Sequence, residues 1–275
     1  MRWIPLLLIA NLSPALAQDS TQVWTHTLVG DVTANQVGLK DWSQGGDNAF
    51  AWGYSLNGSS VHNGTGANWE TGYKLGFGQN KLGDQDVRKT VDKFEFETAL
   101  TYRSDGYIEP YIKATLKSQL FRGHQYDGDV RTAVSGFFDP AYMTQSAGGG
   151  IQPLPELKTR AGLAVREIVT SDFTRYADDE STADIEKVRV DGGLESVTDV
   201  TWQLAENTRL TSKLEISVPL TEIGDTSIGN DATLVVKLSE YVTLNLNLQV
   251  LNDPTSSDDV QLKQTTALGI NYSLF

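Results

Sequence analysis

The chain contains no cysteine in its 275 residues. Disulfides, thiolate metal sites and a lipid anchor on an N-terminal cysteine are therefore excluded, and stability must come from burial and backbone pairing. It also has no apolar run of the roughly 18 or more residues that a membrane helix requires, and its mean hydropathy is −0.29. This absence removes helical membrane proteins but not membrane barrels, in which only alternate residues face lipid. Histidine is scarce as well. His26, His62 and His124 are the only three. None stands in an HExxH pair, and no Gly-x-Ser-x-Gly elbow is present. Ser55, Ser118 and Ser135 have no partner that the sequence identifies, so no enzyme, cofactor or metal centre is expected. A net charge of −13 argues against nucleic acid as a partner.

What the chain does have is alternation. Val242-Thr-Leu-Asn-Leu-Asn-Leu-Gln-Val250 places aliphatic and polar side chains on opposite faces of a strand. Comparable segments occur within 24–42 and at 47–61, 67–78, 88–103, 107–121, 141–152, 157–170, 186–204, 208–218, 232–238, 241–251 and 260–275. Several are about ten to sixteen residues long, whereas strands of soluble proteins cluster near five or six. A tilted membrane strand needs about nine to eleven.

The connections alternate too. Residues 104–106, 153–156, 205–207 and 239–240 make tight turns. Residues 79–87, 122–140, 171–185, 219–231 and 252–259 make long loops, and 61–68 is an imperfect short link. Short periplasmic turns facing long external loops are the pattern of an outer-membrane barrel. At the N-terminus, Arg2, an apolar stretch from Trp3 to Ala10 and Ala15-Leu16-Ala17 have the form of a secretion signal. The expectation is an exported chain with a signal over 1–17. A single all-β, antiparallel up-and-down transmembrane barrel over 18–275 follows, of about twelve strands, with ten or fourteen as the range.

The alternation also assigns faces. Phe94, Phe96, Leu100 and Tyr102 oppose Lys93, Glu95, Glu97 and Arg103. Ile108, Ile112, Ala114, Leu116 and Leu120 oppose Glu109, Lys113, Lys117 and Gln119. A Lys or Arg facing lipid near the bilayer midplane costs about 2–4 kcal/mol, so the charged face belongs inside. Candidate lumen-lining residues are Lys93, Glu95, Lys113, Lys117, Lys158, Arg160, Lys187, Arg189, Asp191, Arg209 and Lys213. With Lys74, Arg166, Lys237 and Lys263 on the same face, against Glu70, Glu97, Glu109, Glu195, Asp199 and Glu215, the interior reads as net basic. Glu167 has the parity of Leu163 and Val165 and is expected at the outer rim. Phe275 shares the parity of Asn271 and Ser273, not of Leu268, Ile270, Tyr272 and Leu274. Aromatic residues gather at two levels, Trp69, Tyr102, Tyr107, Trp202 and Tyr241 at one, and Trp42, Phe50, Trp52, Phe77 and Phe94 at the other, as girdles do. Acidic pairs such as Asp84 with Asp86 and Asp178 with Asp179 fall in the long loops.

Three stretches carry a resemblance: Trp42-Ser-Gln-Gly-Gly-Asp-Asn48, Phe137-Phe-Asp-Pro-Ala-Tyr-Met-Thr-Gln-Ser-Ala-Gly148 and Thr159-Arg-Ala-Gly-Leu-Ala-Val-Arg-Glu167. With the general layout they resemble, over most of the mature chain, the domain of unknown function 3078, an uncharacterised family of Bacteroidetes-type envelope proteins. The resemblance implies an outer-membrane location in a Gram-negative cell and a β-rich fold, and brings no catalytic residues. Phe137, Phe138 and Tyr142 either anchor the 122–140 loop in the barrel mouth or belong to a mobile surface loop.

Two functions follow from the faces. Paired charges would fill a narrow lumen and leave a structural or adhesive barrel with acidic external loops. An unfilled basic lumen would form a narrow channel for small anionic or polar solutes. A soluble periplasmic β-sandwich binding protein is the third alternative. Expected partners are outer-membrane lipid and lipopolysaccharide, with barrel-assembly machinery during insertion.

Overall fold

The computed structural model describes residues 24–39, 46–128, 130–179, 181–221, 223–254 and 259–273. The segment 1–17 expected to be a secretion signal, Trp42 and Phe275 lie outside these residues. Five long strands come first: β1 (Trp24–Val37), β2 (Ala49–Asn63), β3 (Ala67–Leu82), β4 (Arg88–Tyr102) and β5 (Glu109–Ser118). A short hairpin follows, β6 (Gly123–Asp127) and β7 (Val130–Ser135). Seven more long strands complete the order: β8 (Ala141–Leu154), β9 (Leu157–Val169), β10 (Val188–Ala205), β11 (Thr208–Pro219), β12 (Ser227–Lys237), β13 (Val242–Asn252) and β14 (Gln261–Ser273). All but the hairpin join, each antiparallel to its neighbours, into one closed barrel of twelve strands. A closed ring of this kind is not a two-sheet sandwich.

Closure is uneven around the ring. β1 pairs with β2 along its whole length, from Trp24 opposite His62 to Val37 opposite Ala49. Against β14, pairing among the described residues runs only from Val29 opposite Ser273 to Thr33 opposite Gly269.

The alternation of short and long connections holds. Turns after β2, β4, β8, β10 and β12 lie at one end of the barrel with the start of β1 and the end of β14. The loops of the other end include the β6–β7 hairpin.

Four boundaries differ from the sequence expectation, each for a local reason. β3 runs on past Gly78 in unbroken register with β2, but its outward positions turn polar at Gln79 and Lys81, so the apolar alternation ends at Phe77; the register shift here falls on β4, where Thr90 is skipped. β5 stops at Ser118 because the Asp92 carboxylate accepts the backbone N–H groups of Leu120 and Phe121, at 2.9 Å each, in place of ladder bonds. The hairpin turns at Asp127-Gly128, where Gly128 takes φ +58°, a conformation glycine adopts freely. β12 begins at Ser227, since Gly229, Asn230 and Asp231 look like turn residues yet pair with β11.

The packing is polar inside and apolar outside. Leu163, Leu194, Val190, Ile112, Leu268 and Ile270 are exposed on the outer wall, whereas Lys113, Arg160, Thr115 and Ser146 are buried. Glu167 has outward parity and lies two residues from the outer end of β9. Trp69, Tyr102, Tyr107, Trp202 and Tyr241 are exposed at the tight-turn end, and Phe50 and Trp52 toward the other.

Gly148 and Gly162 face each other across β8 and β9. A side-chain carbon on either would overlap the backbone of the opposite strand. Gly162→Val should cost at least about 1–3 kcal/mol of overpacking and reduce the heat-modifiable folded band on a gel after refolding into detergent.

Candidate functional site: the barrel lumen

Every strand sends alternate side chains inward, and the register fixes which ones. Lys74 of β3 stands opposite Glu95 of β4, which stands opposite Lys117 of β5. On the other wall, Lys158 is opposite Asp199, which is opposite Lys213, which is opposite Asp231. The side chains then meet across the lumen. Lys93 on β4 reaches Asp231 on β12 at 3.2 Å, joining strands on opposite sides of the twelve-strand ring. Glu97 of β4 is bonded by Lys213 of β11 and lies 3.5 Å from Arg160 of β9. Glu215 of β11 receives Lys117 of β5. Lys113 of β5 donates to Glu195 of β10 at 2.8 Å. Arg160 donates to Asp199 at 2.8 Å, and Lys158 lies 3.7 Å from Glu70.

Nine of the proposed lining residues thus take part in ion pairs: Lys93, Glu95, Lys113, Lys117, Lys158, Arg160, Arg189, Asp191 and Lys213. Arg189 pairs with Asp191 at 2.8 Å and with Asp225 at 3.5 Å. The other two are placed differently. Lys187 precedes β10 and is exposed in the outer loop, so it does not line the strand-walled lumen. Its strand begins one residue later than its charge pattern implied. Arg209 has inward parity but is exposed beside the β10–β11 turn, where it donates to Gln203 at 3.3 Å.

The net basic interior also needs correction. Asp31 and Asp231 face inward on β1 and β12, and Asp225 and Asp253 reach Arg189 and Arg166 from loops. Asp231 falls in the 219–231 segment expected to be a loop. These four carboxylates bring the interior close to charge balance.

The pairs do not fill the lumen evenly. In the sector from β4 through β10 the most buried inward side chains lie together: Lys113 is 1% exposed and Arg160 4%, with Tyr111, Val197, Thr115 and Ser146 buried beside them, while Lys117 and Asp199 keep 39% and 34%. In the sector from β13 through β14, β1 and β2 to β3, the wall is mostly small or neutral polar residues, with Asp31, Glu70, Lys74 and Lys263 among them. It carries Asn245 and Asn247, Thr265 and Ala267, Thr33, Ser55 and Asn57, and Gly72, Gly76 and Gly78. Here Lys74 is 51% exposed and Glu70 55%, and Asn57 and Lys263 are exposed. One oxygen of the Asp31 carboxylate has no hydrogen-bond partner among the described residues. The line from Lys93 to Asp231 therefore separates a packed ionic half from an accessible half with small side chains.

The motif at 137–148 has a structural role. Asp139 is 5% exposed. Its carboxylate accepts the backbone N–H groups of Ser171, Asp172 and Phe173 at 3.0, 2.7 and 3.3 Å, tying two external loops together. Phe138 packs on Phe94, which faces outward, so it grips the barrel flank and not the mouth. Phe137 is exposed. Tyr142 does face inward, with Arg166 5.6 Å from its ring centre.

Among the described residues no cluster of three or more metal-ligating side chains is formed. One Ser–His contact exists, His26 Nδ1 to Ser60 Oγ at 2.8 Å on the outer face. Among the described residues no carboxylate or amide bonds the other ring nitrogen of His26.

Two family models match the chain. Residues 34–124 match a protein family of unknown function, DUF3078, and residues 151–274 match a second, DUF481. The chain is similar to these uncharacterised families; neither match alone reaches half of it. The likeness to DUF3078 is confined to the first part. The 159–167 element falls in the second match, and the 137–148 element in neither. No curated protein matches. Among solved structures, an outer-membrane channel from Pseudomonas putida F1 is 14% identical, covering 96% of this chain and 99% of that one at a TM-score of 0.41. The translocator domain of the autotransporter NalP from Neisseria meningitidis is 12% identical, covering 92% and 89% at a TM-score of 0.39.

Breaking a buried pair leaves an uncompensated charge, at a cost of about 3–5 kcal/mol, whereas replacing both partners by apolar groups is often neutral. Lys113→Met should therefore destabilise the folded barrel by that amount, and Lys113→Met with Glu195→Leu should recover most of it. Urea unfolding of lipid-reconstituted protein, followed by tryptophan fluorescence, measures both.

Proposed function

We propose that the protein is a non-enzymatic outer-membrane barrel with a narrow, off-centre water path for small polar solutes. The observation that carries this reading is the exposure split within the lumen: Lys74 and Glu70 are open to solvent on one side, while Lys113 and Arg160 are sealed on the other. A continuous apolar outer wall and closure of the ladder support the membrane location, because only helices and closed barrels satisfy their backbone in lipid. The two matches to families of unknown function fit an uncharacterised envelope protein, and the DUF3078 likeness is what supports a Bacteroidetes-type source. In this reading the partners are outer-membrane lipid and lipopolysaccharide, and assembly machinery during insertion.

The solute preference follows from the accessible wall. Its hydroxyl and amide groups offer hydrogen bonds, and its fixed charges are of both signs, Asp31 and Glu70 against Lys74 and Lys263, so charge selectivity is weak. The Lys and Arg residues that would have favoured anions are mostly bound to carboxylates. The second reading, a closed structural or adhesive barrel, draws on the same ion pairs and predicts no current.

Because the chain has no native thiol, a single introduced cysteine is a clean probe. The folded protein in planar bilayers should conduct, and Asn57→Cys should lose at least about half its current on reaction with a bulky thiol reagent. Ser146→Cys, in the packed half, should be unaffected. Absence of any current from correctly folded protein would leave the closed-barrel reading. Asp31→Asn removes a carboxylate from the accessible wall and should shift the reversal potential in a salt gradient toward anion preference. An unchanged potential would remove Asp31 from the path.

A further inference from the structure

The outer flank of β2 to β5 combines two features that recur together nowhere else on the described surface. The first is an aromatic patch on the outward wall. Trp52 lies 5.8 Å from Phe77, Tyr54 lies 6.0 Å from Phe77, and Phe77 lies 4.6 Å from Phe121, as ring-centre distances. Trp52, Tyr54 and Phe121 remain exposed. The second is a group of cations directly beside it. Lys89 Nζ donates to the backbone oxygen of Phe121 at 2.8 Å. Arg122 is the next residue, and Arg131 of β7 lies 3.3 Å from His124 of β6.

The charge here is unusual for this chain. Most lumen cations have a carboxylate partner, and Lys89 has Asp92 at 2.6 Å. Arg122 and Arg131 are exposed, and neither has a carboxylate within 4.0 Å among the described residues. They stand on a protein of net charge −13. His124 feels them: burial, then Arg131, Arg122 and Lys89, push its pKa below the usual histidine range. Asp127 at the hairpin tip is the acidic residue of β6.

Two exposed arginines that both act on His124, beside an exposed aromatic surface, match an amphiphile with an anionic head and apolar chains. We propose that this flank binds a phosphorylated, acylated lipid of the outer leaflet, with its phosphate between Arg122 and Arg131 and its acyl chains along Trp52, Tyr54, Phe77 and Phe121. The proposal rests on the membrane location but not on any conduit through the lumen. Bound at this place, the lipid would hold the β6–β7 hairpin against the barrel flank.

The test uses the full folded chain in nonionic detergent, with three probes: a bis-phosphorylated hexa-acylated glucosamine-disaccharide lipid, the same lipid stripped of phosphate, and inorganic phosphate. Native mass spectrometry should retain the phosphorylated lipid, with loss of about tenfold or more in affinity for Arg122→Gln with Arg131→Gln and a steep decline with salt. Phe121→Ala should weaken both lipids. The histidine-resolved NMR titration of His124 should move upward on binding, as an anion replaces unopposed cations around it. Equal retention of the dephosphorylated lipid would overturn the proposal, as would retention unchanged by the double substitution. Equal binding of inorganic phosphate would mean an anion site with no lipid role. The heat-modifiability gel shows independently whether each variant is folded. A chain that stays soluble and folded without detergent would overturn the membrane reading itself.

Discussion

Twelve strands enclose more space than the side chains of one wall can fill, and that geometric surplus governs the molecule. A barrel of about eight strands is filled by its own inward residues, while one of sixteen or more leaves an aqueous channel. At twelve, filling requires side chains long enough to meet partners from distant strands. Lysine and arginine provide that reach, and carboxylates at the far ends provide the reason to extend. The Lys93–Asp231 contact across the ring and the Lys213–Glu97 contact are direct results. Apolar residues of similar length would fill the same volume without directional preference. Ion pairs tie a given strand to one chosen partner, and each buried charge makes the alternative arrangements costly.

The same constraint explains why the two halves differ. Where glycine, serine and threonine dominate the inward positions, as at Gly72, Gly76 and Gly78 opposite Ser59, Ser55 and Gly53, the wall offers no long side chain of its own, and what crosses comes from beside it: Lys263 of β14 reaches the Thr90 carbonyl of β4, and Glu70 of β3 meets Lys158 of β9. Lys74 and Glu70 keep about half of their side-chain surface open to water there. Where Tyr111, Arg160 and Val197 face inward, the lumen closes. Composition along each strand thus decides the shape of the interior, since the backbone of the ring is nearly uniform.

Much of this could be read from the sequence because a period-two pattern leaves little freedom. The strand number, the antiparallel order and the two faces all follow from it. Its failures were local and instructive. The outward face of β3 turns polar at Gln79 and Lys81, so the end of the strand was invisible to an apolar alternation. Asp231 resembled a loop residue until pairing with β11 put it inside. The Asp127-Gly128 dipeptide was a usable hairpin signal, but it sat in a segment too short to register as a strand pair. Pairing between charges on non-adjacent strands had no signal at all. Parity says that a lysine faces inward; only the radius and tilt of the closed ring say which carboxylate it meets.

The seam between β1 and β14 has a further meaning. Among the described residues, β1 beyond Thr33 and β14 before Gly269 have no partner across it, although each is paired on its other side. From Ala34 to Val37 and from Leu262 to Leu268, backbone groups outside the ladder face either hydrocarbon, where they are costly, or water that enters from the lumen. The accessible half of the lumen borders this seam. A ring whose joint holds five paired positions among the described residues, against eight or more at each of the others, would part there first.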